Sequence, residues 1–173
     1  MRVIITGASG LIGTALTARL KADGHKPVAL VRRAAGPGEL RWDPAKGELS
    51  ADALAGADAV VNLAGAGIGD HRWTDAYKQE ILDSRVRATT LLSERIAECS
   101  QRPAVLLSGS AIGAYGVSET AEFDESSAFG AGFLADVCRQ WEAATAPAAA
   151  VGTRVAAWPV GTESTGQFCS MLK

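Results

Sequence analysis

Short apolar runs alternate along the chain with longer amphipathic stretches. The apolar runs lie at residues 3–5, 26–31, 58–65, 103–107 and 151–156. Nearly continuous apolar runs of this length are typical of buried parallel strands. Apolar positions recur at helical spacing in three other stretches, residues 11–20, 74–99 and 133–146. This alternation predicts an α/β fold with a doubly wound parallel sheet and helices on both faces.

Two stretches also carry local structural signals. Thr74 suits the N-cap of the long helix because Asp75 follows it in the first turn. Residues 39–42 and 48–49 flank a turn that contains proline and glycine, so a small β-hairpin is predicted there.

The first apolar run leads into a glycine-rich turn, TGASGLIG at positions 6–13. Glycine lets the backbone turn sharply and approach a ligand closely. The first N–H groups of the helix that follows, with the positive end of its dipole, suit a diphosphate. The spacing is GxxGxxG, unlike the commoner GxGxxG, and no Gly-Lys-Ser/Thr of a P-loop follows. The alternative is a strand–helix turn that binds nothing. The residues expected at a dinucleotide are Gly7, Ser9, Gly10, Leu11, Ile12 and Gly13.

The second apolar run ends in two arginines. Domains that prefer NAD place an acid about 20 residues beyond the glycines, where it binds the ribose 2′-hydroxyl. Here Arg32 and Arg33 follow Val31, and the first acid after them is Glu39. A guanidinium pairs with a 2′-phosphate, which a carboxylate would repel. Val31, Arg32 and Arg33 are therefore predicted to favour NADP(H) over NAD(H). The alternative is a pair of solvated arginines at a strand end.

The third long run ends in Asn62, Leu63, Ala64 and Gly65. Ligands of open α/β sheets bind beyond the carboxyl ends of the strands, and small residues there let a cofactor lie across the backbone. We expect Leu63, Ala64 and Gly65 to contact the cofactor. Asn62, the one asparagine in the sequence, either ties adjacent loops together or touches the ligand.

Composition narrows the function classes. The chain has 173 residues, 47% hydrophobic and 21% charged, with a net charge of −2, as expected for one globular domain. This charge predicts no binding to nucleic acid or to an anionic membrane. No apolar stretch approaches bilayer length, and the N-terminus has the pattern of a strand and not of a signal peptide. Three cysteines and two histidines lack metal-ligand spacing, so we predict no metal site and a cytoplasmic protein with reduced thiols. The cysteines are Cys99, Cys138 and Cys169.

Further motifs resemble one protein family. They are RWDP at 41–44, NLAG at 62–65, RWT at 72–74, ILDSRV at 81–86 and FLADVCRQWE at 133–142. Together with TGASGLIG, they are similar to the epimerase-family branch of atypical short-chain dehydrogenases/reductases, the NAD-dependent epimerase/dehydratase family, up to about residue 155. The resemblance implies a Rossmann-type fold with strand order 3-2-1-4-5 and an NADP(H) site. It also implies cofactor contacts from Arg32, Leu63, Ala64, and the helix that carries Glu80 and Arg85.

The catalytic pair of the wider superfamily is missing. Its Tyr-xxx-Lys pair supplies a general acid/base and a lysine that lowers the tyrosine pKa. Residues 133–138 of this chain hold neither a tyrosine nor a lysine. The remaining candidates are Ser110, which matches the superfamily's active-site serine, and Tyr115 in the following loop. A packing or gating role for Tyr115 is the alternative.

The end of the chain also differs from the resembled family. We expect an NADP-binding domain over residues 1–156 and a divergent tail over 157–173, where the family's substrate-binding part begins. The chain is thus expected to be truncated at its C-terminal side. Apolar surface that this part covers would be exposed or buried in a homodimer.

Three functions are compatible with these observations. The first is an NADP(H)-dependent oxidoreductase or epimerase acting on an unidentified small molecule. The second is a module that binds the nucleotide without chemistry, and the third is an inactive remnant. The glycines and arginines support the nucleotide site in each case, whereas the reaction has no motif of its own.

Overall fold

A six-stranded parallel sheet forms the centre of the protein. The computed structural model describes residues 1–116, 120, 122–124 and 126–160. The strands are β1 Arg2–Thr6, β2 Lys26–Val31, β3 Glu39–Arg41, β4 Ala59–Asn62, β5 Val105–Ala111 and β6 Arg154–Val160. Their order is β3-β2-β1-β4-β5-β6, and each neighbouring pair is parallel. The implied order 3-2-1-4-5 is therefore confirmed, and β6 extends the sheet at one edge.

Helices cover both faces of the sheet, as the alternating pattern predicts. They are α1 Leu11–Ala22, α2 Asp75–Glu98, α3 Phe133–Ala143 and α4 Ala146–Ala150. Successive strand residues point to opposite faces. Ile4 and Val60 pack in a cluster with Leu92 of α2, whereas Ile5 and Val61 pack with Leu16 of α1. The sheet thus has two buried sides, which explains why the central residues of β1 and β4 are apolar on both faces.

The long helix α2 begins where its cap signal predicts. The hydroxyl of Thr74 accepts a hydrogen bond from the N–H of Tyr77 at 3.2 Å. The helix predicted over 133–146 is α3, which ends three residues earlier at Ala143, and a separate short helix, α4, begins at Ala146. Pro147 lies in the first turn of α4, where its missing N–H is harmless, whereas it would break the interior of a longer helix.

The predicted hairpin near residue 43 is wrong in its pairing. Glu39–Arg41 forms β3, which pairs in parallel with β2. A single antiparallel bridge, Asp43 to Glu48, closes the turn. The N–H of Trp42 donates to the carbonyl of Val31 at 3.0 Å, and the Trp42 side chain is buried in the core. Burial of the tryptophan keeps this segment beside β2. The predicted turn is present, but the segments on either side of it form one bridge and not a hairpin.

The last described strand runs past the expected domain boundary at residue 156. β6 continues to Val160 and pairs with β5 along its whole length. The rest of the predicted tail, residues 161–173 with Cys169, lies outside the described residues. None of the helices in the described part of the chain is long and apolar enough to cross a membrane.

Candidate functional site

The glycine-rich turn is packed too tightly for side chains at two of its positions. Gly7 has a φ of 64°, and a Cβ built there would lie 2.6 Å from the carbonyl oxygen of Leu63. A Cβ on Gly13 would lie 2.2 Å from the carbonyl oxygen of Gly7. Gly10 is less crowded, and its N–H donates to that same oxygen at 3.0 Å. The turn from β1 into α1 is therefore pressed against both the end of β4 and its own helix.

The first turn of α1 presents its N–H groups without a protein cap. Gly10 is the N-cap residue, so no side chain accepts from the helix, and the first turn contains no acid. The first N–H groups of a helix have no acceptor within it. Ser9 and Gly10 are exposed, and Leu11 is 85% exposed. A small anionic group fits this helix start, where N–H donors and the helix dipole both favour it.

A buried polar network holds the ends of β1 and β4 together. The Thr6 hydroxyl donates to Oδ1 of Asn62 at 2.8 Å, and Nδ2 of Asn62 donates to the Thr89 hydroxyl at 2.8 Å. The N–H groups of Leu63 and Ala64 both donate to Oγ1 of Thr6. All three polar side chains are fully buried, and each buried group left unsatisfied would cost about 1–3 kcal/mol. Asn62 therefore ties neighbouring segments together, the first of its two expected roles.

The loop after β4 is braced by α2. The guanidinium of Arg85 donates to the carbonyls of Ala66 and Ile81 at 2.9 and 3.0 Å. Its Cζ would lie 3.0 Å from a Cβ on Gly65, so glycine leaves the room that this guanidinium needs. Ser84 accepts a hydrogen bond from the N–H of Ala66 at 2.9 Å. Burial lowers the pKa of Arg85. This half-buried arginine holds the loop at the carboxyl end of the sheet.

The remaining predicted cofactor residues on α2 and β2 lie at the surface or near it. Glu80 is exposed on α2, and its carboxylate makes no hydrogen bond to another described residue. Val31 ends β2 and is half-buried, and Arg32 is exposed directly after it. Arg33 forms a two-pronged ion pair with Glu39, each N–O distance being 2.6 Å. Arg33 is therefore held in an ion pair, whereas the adjacent Arg32 is exposed to solvent.

The two candidate catalytic residues have different surroundings. Ser110, near the end of β5, is 2% exposed, and its hydroxyl donates to a carboxylate oxygen of Glu142 at 2.5 Å. Tyr115 lies in the short 3-10 helix after β5, and its ring stacks on Phe123 with centroids 5.6 Å apart. The stacking of Tyr115 on Phe123 is consistent with a packing role for the tyrosine. Ser110, in contrast, is hydrogen-bonded to a carboxylate.

Sequence reasoning did not single out Glu142. The residue lies in α3, one turn after Cys138, whose thiol is directed at the carbonyl of Ala111. Burial raises the pKa of Cys138, so this thiol stays protonated and unreactive at neutral pH. Trp141 lies beside Gly109, and Arg85 stacks on its ring at 5.2 Å. The signal available was the position of Glu142 on the buried side of an amphipathic helix, next to Trp141.

The elements at this edge of the sheet are those of a Rossmann-type fold. A glycine turn after β1, an uncapped α1, and glycine and alanine after β4 meet where open α/β sheets bind ligands. Residues 3–133 match the model of the NAD dependent epimerase/dehydratase family. The chain belongs to this family.

Similar proteins support the assignment and show how much of them this chain matches. It is 44% identical over 154 residues to "Epimerase family protein ML0860" of Mycobacterium leprae, covering 88% of this chain and 50% of that protein. It is 42% identical over 147 residues to the human "Epimerase family protein SDR39U1", covering 83% and 48%. The chain spans about half the length of the curated relatives it matches.

Two solved structures have the same architecture. A nucleoside-diphosphate sugar epimerase from Corynebacterium glutamicum is 44% identical with a TM-score of 0.81, over 93% of this chain and 34% of that one. Human SDR39U1, solved with NADPH, is 33% identical with a TM-score of 0.78, over 99% of this chain and 59% of that one.

We predict that Gly13→Ala destabilises the protein strongly while Gly69→Ala does not. The new Cβ at position 13 meets backbone atoms, which no side-chain rotation can relieve, whereas a Cβ at Gly69 meets nothing within 4 Å. Overpacking of this kind costs about 1–3 kcal/mol, or roughly 3–10 °C in the midpoint of thermal unfolding. Circular dichroism melts measure both variants. Equal midpoints for the two would contradict the crowding at the turn.

Proposed function

We propose that this chain binds NADP(H) at the carboxyl edge of its sheet. The observation that carries the proposal is the start of α1, which has no side-chain cap and follows a turn packed at Gly7 against the end of β4. An exposed arginine at the end of the adjacent strand β2 supports the phosphorylated cofactor. The human relative solved with NADPH supports the same choice.

Each part of the nucleotide has a matching group in this chain. The N–H groups at the start of α1 suit the diphosphate. Arg32 suits the 2′-phosphate because its guanidinium makes no hydrogen bond to the other described residues. The backbone of Leu63, Ala64 and Gly65 follows β4, which lies next to β1. Small side chains there leave room for the cofactor to lie across the backbone. Arg85 contributes indirectly by holding the loop that follows.

The function we propose for the whole protein is an oxidoreductase or epimerase acting on a small hydroxyl or carbonyl compound in the cytoplasm. NADP(H), when bound, supplies or accepts a hydride. The chain itself would handle the proton. Ser110 and Glu142 share a hydrogen bond of 2.5 Å, and a hydroxyl paired with a carboxylate can pass a proton to or from a substrate oxygen.

A second candidate is a nucleotide-binding module without chemistry. It is favoured by the burial of Ser110, which is 2% exposed, and by the absence of tyrosine and lysine from residues 133–138. Such a module needs the nucleotide site and nothing else.

We predict that Arg32→Ala abolishes the preference for NADPH over NADH. A guanidinium bound to a phosphate contributes charge-assisted hydrogen bonds, so affinity for NADPH should fall about tenfold or more while affinity for NADH stays unchanged. Fluorescence titration with both nucleotides measures the ratio. Lys21→Ala, which removes a positive charge near the far end of α1, is the control and should change neither affinity. An unaltered NADPH/NADH ratio in Arg32→Ala would refute the assignment.

Turnover separates the enzyme from the module. NADPH oxidation over a panel of aldehydes and ketones should be lost in Ser110→Ala and in Glu142→Gln, about 100-fold for a positioned acid/base group, while NADPH affinity is kept. Tyr115→Phe tests the second candidate residue in the same assay. Tight binding of NADPH by the wild type without turnover of any compound would reject the enzyme and leave the module.

A further inference from the structure

The ion pair between Arg33 and Glu39 closes the loop after β2. Nη1 and Nη2 of Arg33 reach Oε2 and Oε1 of Glu39 at 2.6 Å each, and Nη1 also donates to the carbonyl of Ala34 at 2.9 Å. The N–H of Gly36 donates to Oε2 of Glu39 at 2.8 Å. Arg33 thus makes three hydrogen bonds within a segment of seven residues and occupies both oxygens of the carboxylate.

Glu39 is the first acid beyond β2, and its position matters for a phosphorylated cofactor. It begins β3, which pairs in parallel with β2, the strand that leads to Arg32. Hydrogen bonds from Arg33 and from Gly36 lower the pKa of Glu39 to about 2, so this carboxylate is ionised at neutral pH. An ionised carboxylate near a dianionic 2′-phosphate repels it unless a cation compensates its charge.

We propose that Arg33 sets the cofactor preference through Glu39, by neutralising this carboxylate, and that it is not itself a phosphate ligand. The inference rests on the proposed NADP(H) function and assigns different tasks to the two adjacent arginines. Arg32, without a partner among the described residues, binds the phosphate. Arg33 is a positioning residue: it compensates the charge of Glu39, so that this carboxylate does not repel the phosphate.

The pair is at the surface, so its effect is on local charge and not on folding. The side chains are 64% exposed for Arg33 and 23% for Glu39, and surface ion pairs contribute little to stability. Variants of either residue should therefore fold. This separates the role proposed here from the steric role of the glycines.

A competing mechanism makes a different prediction for the double variant. If Arg33 left Glu39 to bind the phosphate directly, Glu39→Gln would free the guanidinium and tighten NADPH binding. Loss of Arg33 would then not be repaired by changing Glu39. Under our proposal Glu39→Gln also tightens NADPH binding, because it leaves the positive charge of Arg33 uncompensated. The two mechanisms differ in the double variant, where our proposal expects removal of Glu39 to repair the loss of Arg33.

The experiment is a double-mutant cycle with NADPH, NADH, 2′,5′-ADP and 5′-AMP as probes, measured by fluorescence or calorimetric titration. We expect Arg33→Met to weaken NADPH and 2′,5′-ADP about fivefold or more, since it leaves an uncompensated carboxylate, without weakening NADH or 5′-AMP. Glu39→Gln should bind NADPH at least as tightly as wild type, and the double variant should return to within about twofold of wild type. Arg87→Met breaks a similarly exposed pair with Asp83 on α2 and should change nothing.

The outcomes are distinct. A double variant that binds NADPH as weakly as Arg33→Met, weaker NADPH binding by Glu39→Gln, or an Arg33→Met variant with unchanged affinities overturns the proposal. Thermal unfolding without nucleotide, with midpoints within a few degrees of wild type, checks that each variant is folded. A wild-type chain that binds none of the four probes at millimolar concentration rejects the nucleotide site itself, and the inference with it.

Discussion

The carbonyl oxygen of Gly7 is the crowded point on which the candidate site depends. It accepts the N–H of Gly10, and it would lie 2.2 Å from any Cβ at position 13. This close approach sets how α1 leaves β1, and Gly10 at the N-cap leaves the first turn of the helix without a side-chain cap. A cap residue would satisfy those N–H groups internally. Their exposure is what makes the edge of the sheet suitable for a diphosphate.

The second requirement is a rigid platform beside that turn. Thr6, Asn62 and Thr89 form it from three elements that are distant in sequence, and their hydrogen bonds reach the backbone at Leu63 and Ala64. Because the network is fully buried, its loss would disturb the backbone of the site and not only its stability. Arg85 extends the same support to the following loop. The backbone of the candidate site thus rests on a layer of polar side chains that hydrogen-bond to one another and to that backbone.

Local sequence signals predicted most of the fold, but they did not predict which side chains pair with each other. The apolar runs located the strands, the Thr74 cap located the start of α2, and the glycine spacing located the turn. The sequence could not show that Glu39 takes up Arg33, because two adjacent arginines look alike until one has a partner. Nor could it show that Ser110 meets Glu142, 32 residues away. The false hairpin had the same origin, since local turn chemistry does not reveal that Trp42 is buried beside β2.

The most direct test follows the amides themselves. In ¹H–¹⁵N correlation spectra of the labelled chain, titration with NADPH should shift the signals of residues 7–13 first and most strongly, and those of Arg32 and Leu63 to Gly65 with them. Titration with NADH should reproduce the shifts at the turn and omit those at Arg32. Shifts confined to other parts of the chain, or none at millimolar NADPH, would contradict the account.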